Sequence, residues 1–285
     1  MPLTPEALTA PLISAGGIAY VAGLSRLWRR VGDGVGVSRA RAAAFIAGIV
    51  ALGFALASPL GAAADRTLAA HMTQHLVLDS LAAPLLALGE PLTVWSQLLR
   101  SPARLQVRRL GARAGRSASG PRWWTWALVL VVVHTAVMVG WHVPVLFDAA
   151  VRIDAVHAAE HLTMVSAAVA LWWLLLGAGR RRPAGGSVLV LFAATLPLGL
   201  LGFALVLADT HWYPAYATSL SDQQVAGSIL WGAGGAVAVF QGAALFGAWL
   251  ALGTDDDERP GVTRAARTSL DRPLHAGWAK GSRSG

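Results

Sequence analysis

The stretch VLVLFAATLPLGLLGFALVLA, Val188 to Ala208, runs for 21 residues without a charged side chain. A helix rises 1.5 Å per residue, so about 20 apolar residues cross the hydrocarbon core of a bilayer. Arg180, Arg181 and Arg182 lie just before the run, and Asp209 and His211 follow it. An apolar segment of this length between polar flanks reads as a transmembrane helix. Six more segments of the same kind lie on either side: Leu8–Leu27, Ala42–Leu60, Leu68–Leu88, Trp124–Val143, Ala155–Ala178 and Val225–Leu252. Composition agrees, with 55% hydrophobic and 13% charged residues, against roughly 25% charged in soluble domains.

The basic residues fix an expected orientation. Arg26, Arg29, Arg30, Arg39 and Arg41 fall in the first loop, Arg100, Arg104, Arg108, Arg109, Arg113, Arg116 and Arg122 in the third, and Arg180–Arg182 in the fifth. The tail adds Arg259, Arg264, Arg267, Arg272, Lys280 and Arg283, and the even-numbered loops keep only Arg66 and Arg152. The positive-inside rule then places the odd loops and the tail in the cytoplasm and the N-terminus outside. The expected fold is an all-α bundle of seven transmembrane helices (residues 1–253) in the plasma membrane, followed by a flexible polar cytoplasmic tail (residues 254–285). The first span is too long for a signal-peptide core and ends on Arg29-Arg30, so it reads as a retained helix. The net charge of +8 follows from loop topology and does not point to nucleic acid. Pro84 and Pro197 fall inside spans, where each frees a carbonyl that a neighbouring helix must satisfy. Gly227, Gly232, Gly235, Gly242 and Gly247 suit close packing of the last helix.

Cysteine is absent, which excludes disulfides and thiolate ligands. Histidine carries the chemistry instead. Given the orientation, His71, His75, His134, His142, His157, His161 and His211 all map to the outer half of the membrane or an outer loop, while His275 belongs to the tail. His71, His75 and Asp79 recur every four residues and share one helical stripe, as do His134, Met138 and His142. On the fifth span Asp154, His157, Glu160, His161 and Met164 fall within about 120° at 3.6 residues per turn. Two imidazoles at i and i+4 can reach one metal ion. A lone histidine in a membrane helix often bonds a neighbouring helix, and His142 and His211, beside tryptophans, could anchor at the interface. Convergence of the set from three helices outweighs those separate readings. Imidazole with the thioethers Met72, Met138 and Met164 nearby leans towards copper, particularly Cu(I); imidazole with Asp79, Asp154 or Glu160 would suit zinc or non-haem iron.

Three segments carry a family resemblance: HMTQHLVLDSLAAPLLALGEPL (His71 to Leu92), GWHVPVLFDAAVRIDAVHAAEHLTMVSAAVALWW (Gly140 to Trp173) and DQQVAGSILWGAGG (Asp222 to Gly235). Together they resemble the polytopic CtaG-type assembly factor of caa-type cytochrome c oxidase. The resemblance implies a non-enzymatic role in maturing the oxidase at its copper centres, with the oxidase subunits as partners. On matching positions it points to His71, Gln74, His75, Trp141, His142, Pro144, His157, Glu160, His161, Asp222, Gln223 and Gln224. From spacing, the expected copper site is His71, His75, His142, His157 and His161, with Met138 or Met164 as softer ligands. His134, Asp79 and Glu160 are further candidates, and Asp222, Gln223 and Gln224 would line the mouth.

Two other classes compete. A seven-helix zinc hydrolase would hold zinc on three of these histidines and use Asp79 or Glu160 as base. A bis-histidine haem protein would use a facing pair such as His75 and His161. A retinal protein is excluded, because Lys280 is the only lysine. Reporter fusions test the orientation: junctions near Gly111 and Arg181 should report inside, and those near Ala63, Asp148 and Ser219 outside. An outside signal at Arg181 would break the register.

Overall fold

Pro84 shows how the helices bearing the site are built. It has no N–H, so the carbonyl four residues earlier, on Ser80, loses its helical donor. The computed structural model, which describes residues 5–177, 185–216 and 219–257, resolves this in two ways. The helix widens to π geometry over Leu78–Ala82 immediately before the proline. The Ser80 carbonyl then accepts a hydrogen bond of 2.6 Å from the Gln241 side-chain amide of the last helix. A neighbouring helix thus satisfies the group that the proline left bare.

Among the described residues there is helix and no strand. In chain order the helices are α1 (Pro5–Val31), α2 (Arg39–Ala57), α3 (Pro59–Ala64), α4 (Leu68–Val77), α5 (Ala83–Leu88), α6 (Pro91–Trp95), α7 (Ser101–Ser117), α8 (Arg122–Trp141), α9 (Pro144–Arg152), α10 (Asp154–Leu176), α11 (Gly186–Leu207), α12 (Leu220–Ser228) and α13 (Gly234–Asp257). A second π segment, Ile229–Ala233, joins α12 to α13. Among the described residues six helical stretches are long and apolar enough to cross a membrane, and a seventh is counted where Leu68–Leu88 and Pro91–Leu98, bent by 48°, are taken together as one span. At that bend Glu90 takes a left-handed backbone (φ 50°) and forms an ion pair with Arg41. The protein is therefore a multi-pass membrane protein. Large apolar side chains such as Phe240, Val239, Leu128 and Leu189 stay exposed on the outer faces of the helices, as lipid contact requires.

The interior divides into three apolar clusters. One joins α5, α8, α10 and α11 around Trp123, Met138, Met164 and Leu171. A second joins α1, α2 and the third span around Tyr20 and Phe45. The third, with Leu68, Met72, Phe147, Tyr213 and Tyr216, lies where α4 and α9 meet the segment leading into α12.

The structure adds detail that the sequence reading did not give. The Arg-rich third loop is largely a 17-residue helix, α7, with no buried residue. A short helix, α9, intervenes between the fourth and fifth spans. Of the five glycines expected to pack closely, only Gly227 sits at a tight crossing, where an added Cβ would come within 2.5 Å of the Gly202 carbonyl oxygen. Gly232, Gly235 and Gly247 face open space. Most of the expected tail, with His275, lies outside the described residues.

Gln241→Leu should destabilise the detergent-purified protein by about 1–3 kcal/mol, the cost of leaving a buried carbonyl unsatisfied. Thermal unfolding of variant and parent measures it. An unchanged midpoint would show that Ser80 finds another partner.

Candidate metal centre

The site begins with how α4 is held. Its first turn leaves N–H groups without helical acceptors. Thr67 caps Ala70 from within the chain, and Asp222 of α12 accepts from Leu68 (2.8 Å) and Ala69 (3.3 Å). A carboxylate at a helix N-terminus also opposes the positive end of the dipole. Further along, the Gln74 amide donates to the Ala55 carbonyl of α2 at 2.9 Å. These bonds fix the rotation of the helix face that carries His71 and His75. On the facing side, the Trp141 indole donates to Thr163 of α10 at 2.8 Å.

On this frame five histidines form one network of ring contacts. His71 meets His75 at 4.3 Å between centroids and His157 at 5.4 Å. His75 meets both His142 (5.5 Å) and His161 (5.4 Å), and His157 meets His161 at 4.4 Å. Within the network, ligand atoms of His71, His75, His161 and Glu160 all lie within 4.8 Å of one another. Glu160 has no exposed surface, and its carboxylate oxygens stand 3.7 Å from His75 Nε2 and 4.0 Å from His71 Nε2. These gaps are too long for hydrogen bonds. Two atoms each about 2.1 Å from a shared ion stand about 3.4 Å apart at the tetrahedral angle and about 4.2 Å apart across the ion, so the separations of 3.7 and 4.0 Å fall in the range of ligation.

Hydrogen bonding at the rim fixes the tautomers. Tyr216 Oη must donate to the Ala64 carbonyl (2.5 Å), because a carbonyl can only accept. Its hydroxyl therefore accepts from His71 Nδ1–H at 2.9 Å, which leaves His71 Nε2 with its lone pair free. Likewise His142 Nδ1–H donates to the Met138 carbonyl at 2.6 Å, so His142 Nε2 is the unprotonated nitrogen. Burial, reinforced by Asp65, Glu160 and Asp222, pushes the Tyr216 phenol above its ordinary range, and burial with Asp148 does the same for Tyr213. Both hydroxyls keep their protons. Nε2 of His71, His75, His142, His157 and His161, and both Glu160 oxygens, are buried without a hydrogen-bond partner. Buried polar atoms are normally paired, and a fixed Nδ1–H bond behind a free Nε2 is the usual support of a metal-bound imidazole.

The expected residues separate into groups. His71, His75 and His161 form the tight set with Glu160, and His142 and His157 flank it. Glu160 joins the tight set, while Met138 and Met164 belong to the apolar core with Trp123, Ala168 and Leu171, and Met72 to the third cluster. Asp79 leaves the histidine stripe and pairs with His134 at 2.8 Å. The π segment starts at Leu78, so the 3.6-residue phase ends one residue short of Asp79. Gln223 bonds Trp212 N–H and the Thr210 carbonyl, and Gln224 the Ala208 carbonyl. With Asp222 they fasten the chain over the site rather than stand open at a mouth. His211 is exposed, away from the cluster. His75 and His161 are perpendicular and in edge contact, which leaves no slot for a haem between them.

A roof went unread in the sequence. Phe147 packs on His71, Tyr213 and Tyr216, and Tyr213 Oη donates to the His142 carbonyl at 2.9 Å. The available signal was that two of the chain's three tyrosines, Tyr213 and Tyr216, fall in one short connection.

Comparison with known proteins now bears on this centre. Residues 18–251 match the family described as cytochrome c oxidase caa3 assembly factor. The chain belongs to that family. The matched region contains every residue of the histidine–glutamate centre and its roof. An uncharacterized protein of Mycobacterium leprae (strain TN) is 28% identical, over 76% of this chain and 35% of its own. The chain thus spans about a third of that relative's length. No solved structure matches. In this member of the caa3 assembly factor family, Tyr216→Phe should weaken binding of a metal ion about 10–100-fold, the usual effect of losing an outer-shell partner. Competition against a chromophoric chelator measures it, and an unchanged affinity would detach Tyr216 from the centre.

Proposed function

We propose that the protein holds a copper ion as cargo at His71, His75, His161 and Glu160, and hands it to cytochrome c oxidase subunits during oxidase maturation. The observation that carries this reading is the set of three imidazole nitrogens and a carboxylate, mutually within 4.8 Å, buried and without hydrogen-bond partners. An ionised carboxylate buried without a counter-charge costs several kcal/mol, and a cation bound among the imidazoles supplies that charge. Membership of an oxidase assembly family supports oxidase metallation as the destination and a role without turnover. The positive-inside distribution of basic residues supports a centre on the extracytoplasmic side of the membrane. Because the tight set carries a carboxylate in place of a thioether, it accommodates copper in either oxidation state.

The same donor set favours one other reading. Three imidazoles and a carboxylate also suit zinc, and a zinc hydrolase would use them with an open water position.

Cells carrying His75→Ala plus His161→Ala should still insert the variant, because the change removes polar groups from membrane helices. Their oxidase subunits should be made but poor in copper, with most cytochrome c oxidase activity lost. Quantifying this protein, oxidase copper and oxidase activity in one strain separates a metal role from a structural one, in which the amount of this protein falls in proportion. Stoichiometric zinc with no copper in anaerobically purified parent protein would instead select the hydrolase.

A further inference from the structure

Arg104, Arg108, Arg109, Arg113 and Arg116 lie on α7, and no acidic residue occurs between Glu90 and Asp148. Topology needs this charge but not its arrangement on a helix. Ala103, Val107, Leu110 and Ala114 recur three or four residues apart and so share one stripe. Arg104 and Arg113 stand about 90° to either side of that stripe, and the other three arginines fall on the far side. No residue of α7 is buried, and Leu110 is 55% exposed, so the protein itself leaves the stripe bare.

Both ends of α7 are tied to membrane-spanning helices. Before it, the Leu98 carbonyl accepts from Arg26 and the Gln97 side chain from Arg30, at 3.4 Å each, both arginines lying towards the C-terminal end of α1. After it, the Trp126 indole of α8 donates at 3.0 Å to Oγ of Ser117, the last residue of α7. Ser117 follows Leu110 by two helical turns and lies on the same face, so that face turns towards α8 at this end. Trp124 and Trp126 are exposed in the opening turns of α8, where tryptophans mark the headgroup level of a bilayer. The helix is thus held at both ends beside the membrane surface.

We propose that α7 lies along the membrane on acidic phospholipid, with Val107 and Leu110 at the acyl boundary and its arginines on the phosphate groups. Charge decides the occupant. Arg104 and Arg108, like Arg109 and Arg113, are equal charges one turn apart, which disfavours this helix in water. Anionic headgroups offset the repulsion, and guanidinium groups bind phosphate oxygens through paired hydrogen bonds. The flanking arginines can lay their stems on the apolar layer and keep their charged ends among the headgroups. Only Val107 and Leu110 of the stripe are large, so apolar burial is small and attraction to acidic lipid carries the binding. A lipid surface is also the partner already present beside both anchored ends.

Leu105, on the opposite face among the arginines and 48% exposed, provides a control. The absence of cysteine lets a single fluorophore be attached at Leu110→Cys or at Leu105→Cys in the full-length protein. Each labelled protein is placed in nanodiscs of phosphatidylcholine with phosphatidylglycerol, or of phosphatidylcholine alone. In the acidic discs a nitroxide high on the acyl chain should quench the Leu110→Cys label several-fold more than the Leu105→Cys label, and aqueous acrylamide should show the reverse order. The contrast should shrink in neutral discs, in high salt, and when Arg104, Arg109 and Arg113 are replaced by Gln. The lipid comparison needs no change to the arginines, so it stands even if that variant fails to fold. Equal quenching of both labels by acrylamide in acidic discs, or nitroxide quenching as strong in neutral discs as in acidic ones, would overturn the proposal. A Leu110→Cys label shielded from both quenchers would assign the stripe to a protein, such as a second copy of this chain, and would overturn it too.

Discussion

The carboxylate of Glu160, sealed inside a membrane bundle among imidazole edges, is the constraint on which the rest of the structure turns. A buried carboxylate is tolerated only where charge, hydrogen bonds or a proton compensates it, and here its nearest neighbours are imidazole nitrogens 3.7 and 4.0 Å away, beyond hydrogen-bond reach. The arrangement makes sense as a set of donors converging on a cation. Keeping four such atoms within 4.8 Å of one another demands that two helices from distant parts of the chain hold fixed rotations. Asp222 of α12 capping the start of α4, the bond from Gln74 to Ala55 of α2 and the Trp141–Thr163 bond supply that control.

The outer polar bonds add direction to position. His71 and His142 each use Nδ1 for a structural hydrogen bond and turn Nε2 inward. Tyr216 is the joint in this arrangement, since its hydroxyl donates to Ala64 at the end of α3 and accepts from the His71 imidazole of α4. The π segment before Pro84 divides the polar residues of the third span into two functions. Above it His71 and His75 face the centre; within it Asp79 pairs with His134. Asp79 and His134 form a second buried polar contact that supports the bundle without joining the four-atom set.

Much of this was legible in the sequence, for identifiable reasons. The spans show because apolar runs and arginine clusters alternate, and the convergence of His71, His75, His157 and His161 shows because i, i+4 spacing survives wherever the helix stays α. The reading failed where that period failed: Asp79 lies one residue into a π segment. Periodicity places Met138 and Met164 on the right faces but says nothing of their surroundings, and both pack in the apolar core. Tyr216 escaped because a contact across 145 residues leaves no local pattern. The helix α7 escaped because a basic segment between spans is explained by topology alone, so its repeat of Ala103, Val107, Leu110 and Ala114 went unused.

The roof has a consequence for how the protein is made. The ligands of the centre lie between His71 and His161, but the tyrosines that orient and cover them arrive only at residues 213 and 216, and the cap on α4 only at Asp222. During synthesis the first five spans can be in the membrane while His71 still lacks the bond that sets its tautomer and the centre lacks its cover. The centre therefore matures from the C-terminal side, closing when the sixth and seventh spans fold back onto it. A chain that stopped short of residue 213 would carry its histidines in the bilayer without the tyrosine roof and without the Asp222 cap on α4.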